Sequence, residues 1–193
     1  MQDVTEALMT MKLDVNWGAR NSNAKYRLAG KDLGSVAKEL GGRDEWGKFD
    51  GKLGLKWRGD AQGNATRVRI SPAYTITLPT WPQYRKQPQS CKDAWDTMLR
   101  ALKKHEDGHK QIFTQGVTEL VRKLEALRET KGSEVEALLA RVNEDIQAKH
   151  DRFDRETDHG RSRGVELVIS GECKPKAKRS TKSGSKQKSK PKQ

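Results

Sequence analysis

The chain has 193 residues, 33% hydrophobic and 34% charged, with a formal net charge of +13. That length suits one domain with a tail, and no apolar run approaches the ~20 residues that cross a bilayer, which excludes a membrane-spanning helix. Nine of the 39 basic side chains fall in residues 174–193, which hold no acid, so the rest of the chain is only mildly basic; a fold built around a basic nucleic-acid groove is disfavoured.

Residues 1–12 contain Asp3 and Glu6 and no apolar stretch of the kind a signal peptide needs. The chain is therefore read either as cytoplasmic or as a mature form whose leader has been removed. Met11, Leu13, Val15 and Trp17 alternate with polar residues, the period of a half-buried strand. Tyr26 and Leu28 continue the alternation. Asp32 is placed to cap a short helix whose apolar face is Leu33, Val36, Ala37 and Leu40, and Gly41-Gly42 ends it. Alternation returns at Phe49, Leu53, Leu55 and Trp57, and after a turn at residues 59–64 it is clearest at Val68, Ile70, Tyr74, Ile76 and Leu78. Pro72 interrupts this last run. A proline cannot donate to a ladder, so the pattern predicts an edge strand or a bulge there. Together these segments predict a small antiparallel sheet of about four strands with one buried face.

Residues 79–88 read as a loop anchored by Trp81 and Tyr84. A long helical stripe follows: Trp95, Met98, Leu99, Leu102, then Ile112, Phe113, Gly116, Leu120, Leu124 and Leu127, in steps of three and four. His105-Glu106-Asp107-Gly108-His109 fills the gap in that stripe. This is an H-E-x-x-H pattern facing the core. Its two histidines share one helical face and can bind one zinc ion, with the intervening glutamate as general base. A buried, charge-rich stretch without a partner would be costly, and a metal supplies one. Residues 131–133 break the helix. A second helix carries Val135, Leu138, Leu139, Val142, Ile146 and Phe153, and the short connection predicts an antiparallel helical hairpin. Val165, Leu167 and Ile169 read as a last short strand.

The hairpin returns residues 150–160 to the motif, where a third zinc ligand is needed. Candidates are His150, Asp154, Glu156, Asp158 and His159. His159 ranks first, because Gly160 beside it permits a sharp turn. Asp154 follows, as ligand or as the partner of a ligand histidine. His150 lies near the apolar stripe, where a core-edge histidine is the commoner explanation. The two cysteines, Cys91 and Cys173, bracket this region. They are either a cross-link closing a long loop or two buried thiols. Residues 172–193 are rich in Lys, Ser and Gly, cannot bury enough apolar surface to order themselves, and are read as a disordered tail that could touch a polyanion.

Several blocks of the chain resemble the bacterial family known as domain of unknown function 922. They are Tyr26-Arg27-Leu28-Ala29-Gly30, residues 74–81, Trp95 with Leu102 and the His105–His109 motif, and Phe153-Asp154-Arg155-Glu156-Thr157-Asp158-His159-Gly160. The resemblance implies a secreted zinc-dependent protease of the zincin type, placed in the periplasm or outside the cell. Export in turn favours an oxidised Cys91–Cys173 pair. The chain departs from the family pattern at Phe153, where Tyr is usual, and at Arg163, where Gln is usual before Gly164.

The sequence therefore predicts an α+β zincin-like domain over residues 11–171, with the tail at 172–193. The expected activity is peptide-bond hydrolysis of a peptide or protein substrate, with one zinc per chain held by His105, His109 and His159, and Glu106 as base. Residues 67–78, read as an edge strand, would receive the substrate by strand addition. Two other readings are a catalytically inactive zinc-stabilised binding module and a nucleic-acid-binding protein acting through its basic tail.

Overall fold

The computed structural model describes residues 11–17, 22–127, 129–170 and 173. The predicted tail lies outside the described residues apart from Cys173. Strands β1 (Lys12–Val15) and β2 (Ser22–Arg27) precede helix α1 (Leu33–Gly41). Strands β3 (Lys48–Gly59) and β4 (Ala65–Thr80) follow, and then two long helices, α2 (Gln89–Glu125) and α3 (Gly132–Thr157).

The sheet is mixed, which corrects the antiparallel sheet expected from the sequence. β3 and β4 form an antiparallel pair, but β1 and β2 both run parallel to β4. Alternation of apolar residues reports which face is buried and carries no information about strand direction. β4 is also the central strand, not an edge: β3 covers one side, and β1 and β2 share the other. Pro72 is tolerated there for a local reason. The Ile70 and Thr80 carbonyls accept from Asn16 and Leu28 on the β1/β2 side, so by strand alternation the even-numbered residues of β4 turn that way. Pro72 therefore turns its nitrogen toward the interval between Ile70, where β1 pairing stops, and Thr75, where β2 pairing starts. No ladder bond is lost. Pro79 turns the other way, beyond Thr77, where β3 pairing ends.

α1 forms where its cap predicts. The Asp32 carboxylate accepts from the Ser35 N–H at 2.8 Å and the Ser35 hydroxyl accepts from the Asp32 N–H at 3.1 Å, a reciprocal arrangement that satisfies two otherwise orphaned donors. α2 and α3 pack antiparallel: Gly108 lies against Phe153 and Gly116 against Ile146, so rising numbers on one helix meet falling numbers on the other. Residues 165–170 form no strand, contrary to the alternation of Val165, Leu167 and Ile169. Val165 is instead buried in a core cluster, with Leu167 and Ile169 packed against it.

Two apolar clusters result. One joins α1, Trp81, Val165 and the first half of α2 through Leu102. The other joins the sheet, α3 and the second half of α2 from Phe113. The polar residues of α2 between Leu102 and Phe113 thus sit at the seam. A disulfide between Cys91 and Cys173, with Cα atoms 5.5 Å apart, ties the chain after α3 to the start of α2 across 82 positions. Closing so long a loop constrains the unfolded chain strongly. Replacing both cysteines with serine should lower unfolding stability by about 2–5 kcal/mol, measured by denaturant titration; an unchanged midpoint would show that the cross-link is not a stability device.

Candidate metal centre

α2 presents His105, Glu106 and His109 inward, at 6%, 4% and 7% exposure. Their burial follows from the stripe: these positions continue the face that carries Leu102 and Phe113. α3 brings Asp154 to the same point. The Asp154 Oδ1 lies 3.2 Å from His105 Nε2 and 3.0 Å from His109 Nε2, and the two Nε2 atoms are 3.2 Å apart. Three ligand atoms thus form a nearly equilateral triangle. Among the described residues this is the group of histidine and acidic side chains whose ligand atoms converge closely enough to hold a metal ion.

The donor set fits zinc. Bonds of about 2.0–2.2 Å around a tetrahedral ion separate its ligand atoms by roughly 3.3–3.6 Å, close to the edges of this triangle. Two histidines and one carboxylate form a ligand set that leaves a fourth position open. Burial lowers the pKa of both histidines, with Asp154 opposing it, so the imidazoles favour the neutral form a metal requires.

His159 is exposed and lines the same cleft, but its ring is not part of the triangle. It sits in a tight turn in which Asp158, His159 and Gly160 all have positive φ, 47°, 51° and 88°. The turn is held by the His159 N–H donating to the Asp154 carbonyl at 2.9 Å and by the Gly160 N–H donating to Thr157 Oγ1 at 3.2 Å. Gly160 packs against His105, and a Cβ there would fall 3.1 Å from the His105 Cγ. His150 places Nδ1 2.9 Å from His109 Nδ1. Glu156 and Asp158 are exposed and do not join the cluster.

Glu106 faces the cleft without entering the triangle. Burial, reinforced by Glu45 and Asp154, pushes its pKa up to about 8, while a hydrogen bond from the Phe49 N–H pulls it down. Gly47 makes room for it: a Cβ there would fall 2.5 Å from Glu106 Oε1. Sequence reasoning missed Gly47; its signal was a glycine at the start of a strand pattern, which marks close approach by a neighbour. The cleft holds about 350 Å³ and is walled by residues 43–48 opposite the motif. A second lobe of about 420 Å³ continues between β3 and α3, sharing Glu45, Lys48, His109 and Asp154 with the first.

The raised pKa of Glu106 has a consequence for the metal-free protein. An acid whose folded pKa exceeds its unfolded value stabilises the fold fully below the unfolded value, about 4.5, and loses that contribution as pH rises toward about 8. The melting temperature of metal-free protein should fall across this window, and Glu106→Gln should flatten the fall. Parallel pH profiles for the two proteins would remove Glu106 as the cause.

Comparison with known proteins decides the family. Residues 23–160 match a family described as bacterial protein of unknown function, DUF922. The chain belongs to this family. The matched span runs from β2 through the tight turn at Gly160 and so includes every residue of the triangle. No curated protein and no solved structure gives a significant match. Phe153 and Arg163 touch each other: the Arg163 guanidinium lies 5.0 Å over the Phe153 ring, a favourable cation–π contact. Phe153 in turn stacks on His105 at 5.0 Å and 14°. Among the described residues no helix is long and apolar enough to cross a membrane.

Proposed function

We propose that this DUF922 chain is a zinc-dependent metallopeptidase of zincin-like design. The observation that carries the reading is the convergence of His105 Nε2, His109 Nε2 and Asp154 Oδ1 within 3.2 Å of one another, beside a buried glutamate on the same helix. When bound, zinc supplies Lewis acidity, which lowers the pKa of a coordinated water and polarises a carbonyl.

The chain's own residues do the rest. His105, His109 and Asp154 hold the ion. Glu106, at the cleft wall, takes a proton from the attacking water on its carboxylate and passes it to the leaving amine. In the metal-free protein its burial at the seam between the apolar clusters raises its affinity for a proton. His159, exposed at the cleft, is placed to contact substrate.

The substrate-receiving strand is β3, not residues 67–78, because β4 is paired on both sides. Odd-numbered residues of β4 turn to β3, and their partners there are even-numbered, as in Lys52↔Ala73. Gly51 therefore turns its backbone groups away from β4, into the second lobe of the cleft. An extended peptide could add there as a strand. The Cys91–Cys173 disulfide supports an oxidising compartment, periplasmic or extracellular.

The test is cleavage of a peptide library by zinc-loaded protein, with and without chelator. Chelator-sensitive cleavage of internal bonds is expected. The inactive zinc-module reading predicts zinc uptake with no cleavage of any member. Salt-sensitive DNA binding that disappears on removal of the tail would favour the nucleic-acid reading.

A further inference from the structure

His109 has two ring nitrogens, and both are committed. Its Nε2 belongs to the triangle with His105 and Asp154. Its Nδ1 lies 2.9 Å from His150 Nδ1. A neutral imidazole carries one proton. If Nε2 offers its lone pair to a metal, the proton is on Nδ1 and needs an acceptor. His150 Nδ1 stands at hydrogen-bond distance, and it can accept only if its own proton is on Nε2. One tautomer pair satisfies every contact.

We infer that His150 is a positioning residue: it accepts the His109 Nδ1 proton and thereby fixes the tautomer and ring orientation in which His109 binds metal. This deepens the metallopeptidase reading and rests on it. α3 is arranged for the task. His150 and Asp154 are four residues apart, one helical turn, and mirror His105 and His109 on α2. α3 thus delivers a ligand and an orienting group together. His150 is itself held: its ring packs against Phe49 at 5.6 Å and 37°. Nothing equivalent serves His105, whose buried Nδ1 has no hydrogen-bond partner and whose ring is placed by stacking on Phe153.

The test uses the full chain and Zn²⁺ alone. Zinc affinity is measured by competition with a chromophoric chelator for the parent, His150→Phe and His150→Gln. Phe keeps a ring against Phe49 and removes the acceptor; Gln restores an acceptor oxygen. His150→Phe should bind zinc about 10–100-fold more weakly, the usual cost of losing such a partner, and His150→Gln should recover most of it. Melting temperatures of the metal-free forms separate this from a packing role, which would lower stability without a split between the two variants. Parent-like affinity in His150→Phe overturns the inference, as does equal weakening in both variants. A second measurement needs no variant: ¹⁵N NMR of the zinc-loaded parent should show His109 protonated at Nδ1 and His150 at Nε2, and the opposite tautomers would overturn the proposal. A parent that takes up no zinc sinks the metallopeptidase reading along with it; zinc uptake with the wrong tautomers sinks only the role of His150.

Discussion

Glu106→Gln protein is expected to take up zinc like the parent and to hydrolyse peptides about 10²–10⁴-fold more slowly, the range lost with a general base. The substitution conserves size and a hydrogen-bonding group. The Gly47 gap that admits the carboxylate admits the amide as well. What disappears is the proton acceptor. If Glu106 were only a buried helix residue, the variant would lose a group whose ionisation is unfavourable there, so stability at neutral pH would hold or rise and any hydrolysis would persist. The comparison is cleavage rate at matched zinc occupancy. Equal rates would refute Glu106 as the base even with the metal in place.

The second large effect concerns Asp154. Its Oδ1 is the only carboxylate oxygen in the triangle with the two Nε2 atoms among the described residues. Asp154→Ala should weaken zinc binding by more than about 100-fold, beyond the 10–100-fold that follows loss of a group one step removed from the metal. His159→Ala should leave zinc affinity near that of the parent and act instead on substrate turnover. The reverse ranking, with His159→Ala losing the metal and Asp154→Ala keeping it, would return the third ligand to the residue that the Gly160 turn singled out in the sequence.

These two residues also show what was legible before the structure. The motif, its inward facing and the helical hairpin follow from one periodic stripe interrupted by polar residues, a signal local to α2 and α3. The cap of α1 follows from Asp32 alone. Strand direction was not legible, because β1 and β2 each alternate as well in parallel as in antiparallel pairing, and the choice is made by β4 contacts far away in sequence. Pro72 misled for the same reason: whether a proline costs a ladder bond depends on where the neighbouring strands stop. The alternation at residues 165–169 was real but served packing against the α1–α2 cluster. At the site, Gly160 signalled a sharp turn, and the turn is there; its positive φ angles instead hold the backbone against Asp154 and His105. A second signal was spacing: His150 and Asp154, which approach His109 in the structure, repeat the four-residue interval of His105 and His109 on the facing helix.

The most direct measurement of the central claim is zinc content after reconstitution and exhaustive dialysis, in the parent and in a His105→Ala/His109→Ala double variant. The parent should retain about one zinc per chain, as a site with three protein ligands does, and the double variant close to none. A parent well below that stoichiometry, or a double variant that keeps its zinc, would contradict a metal centre built on His105, His109 and Asp154.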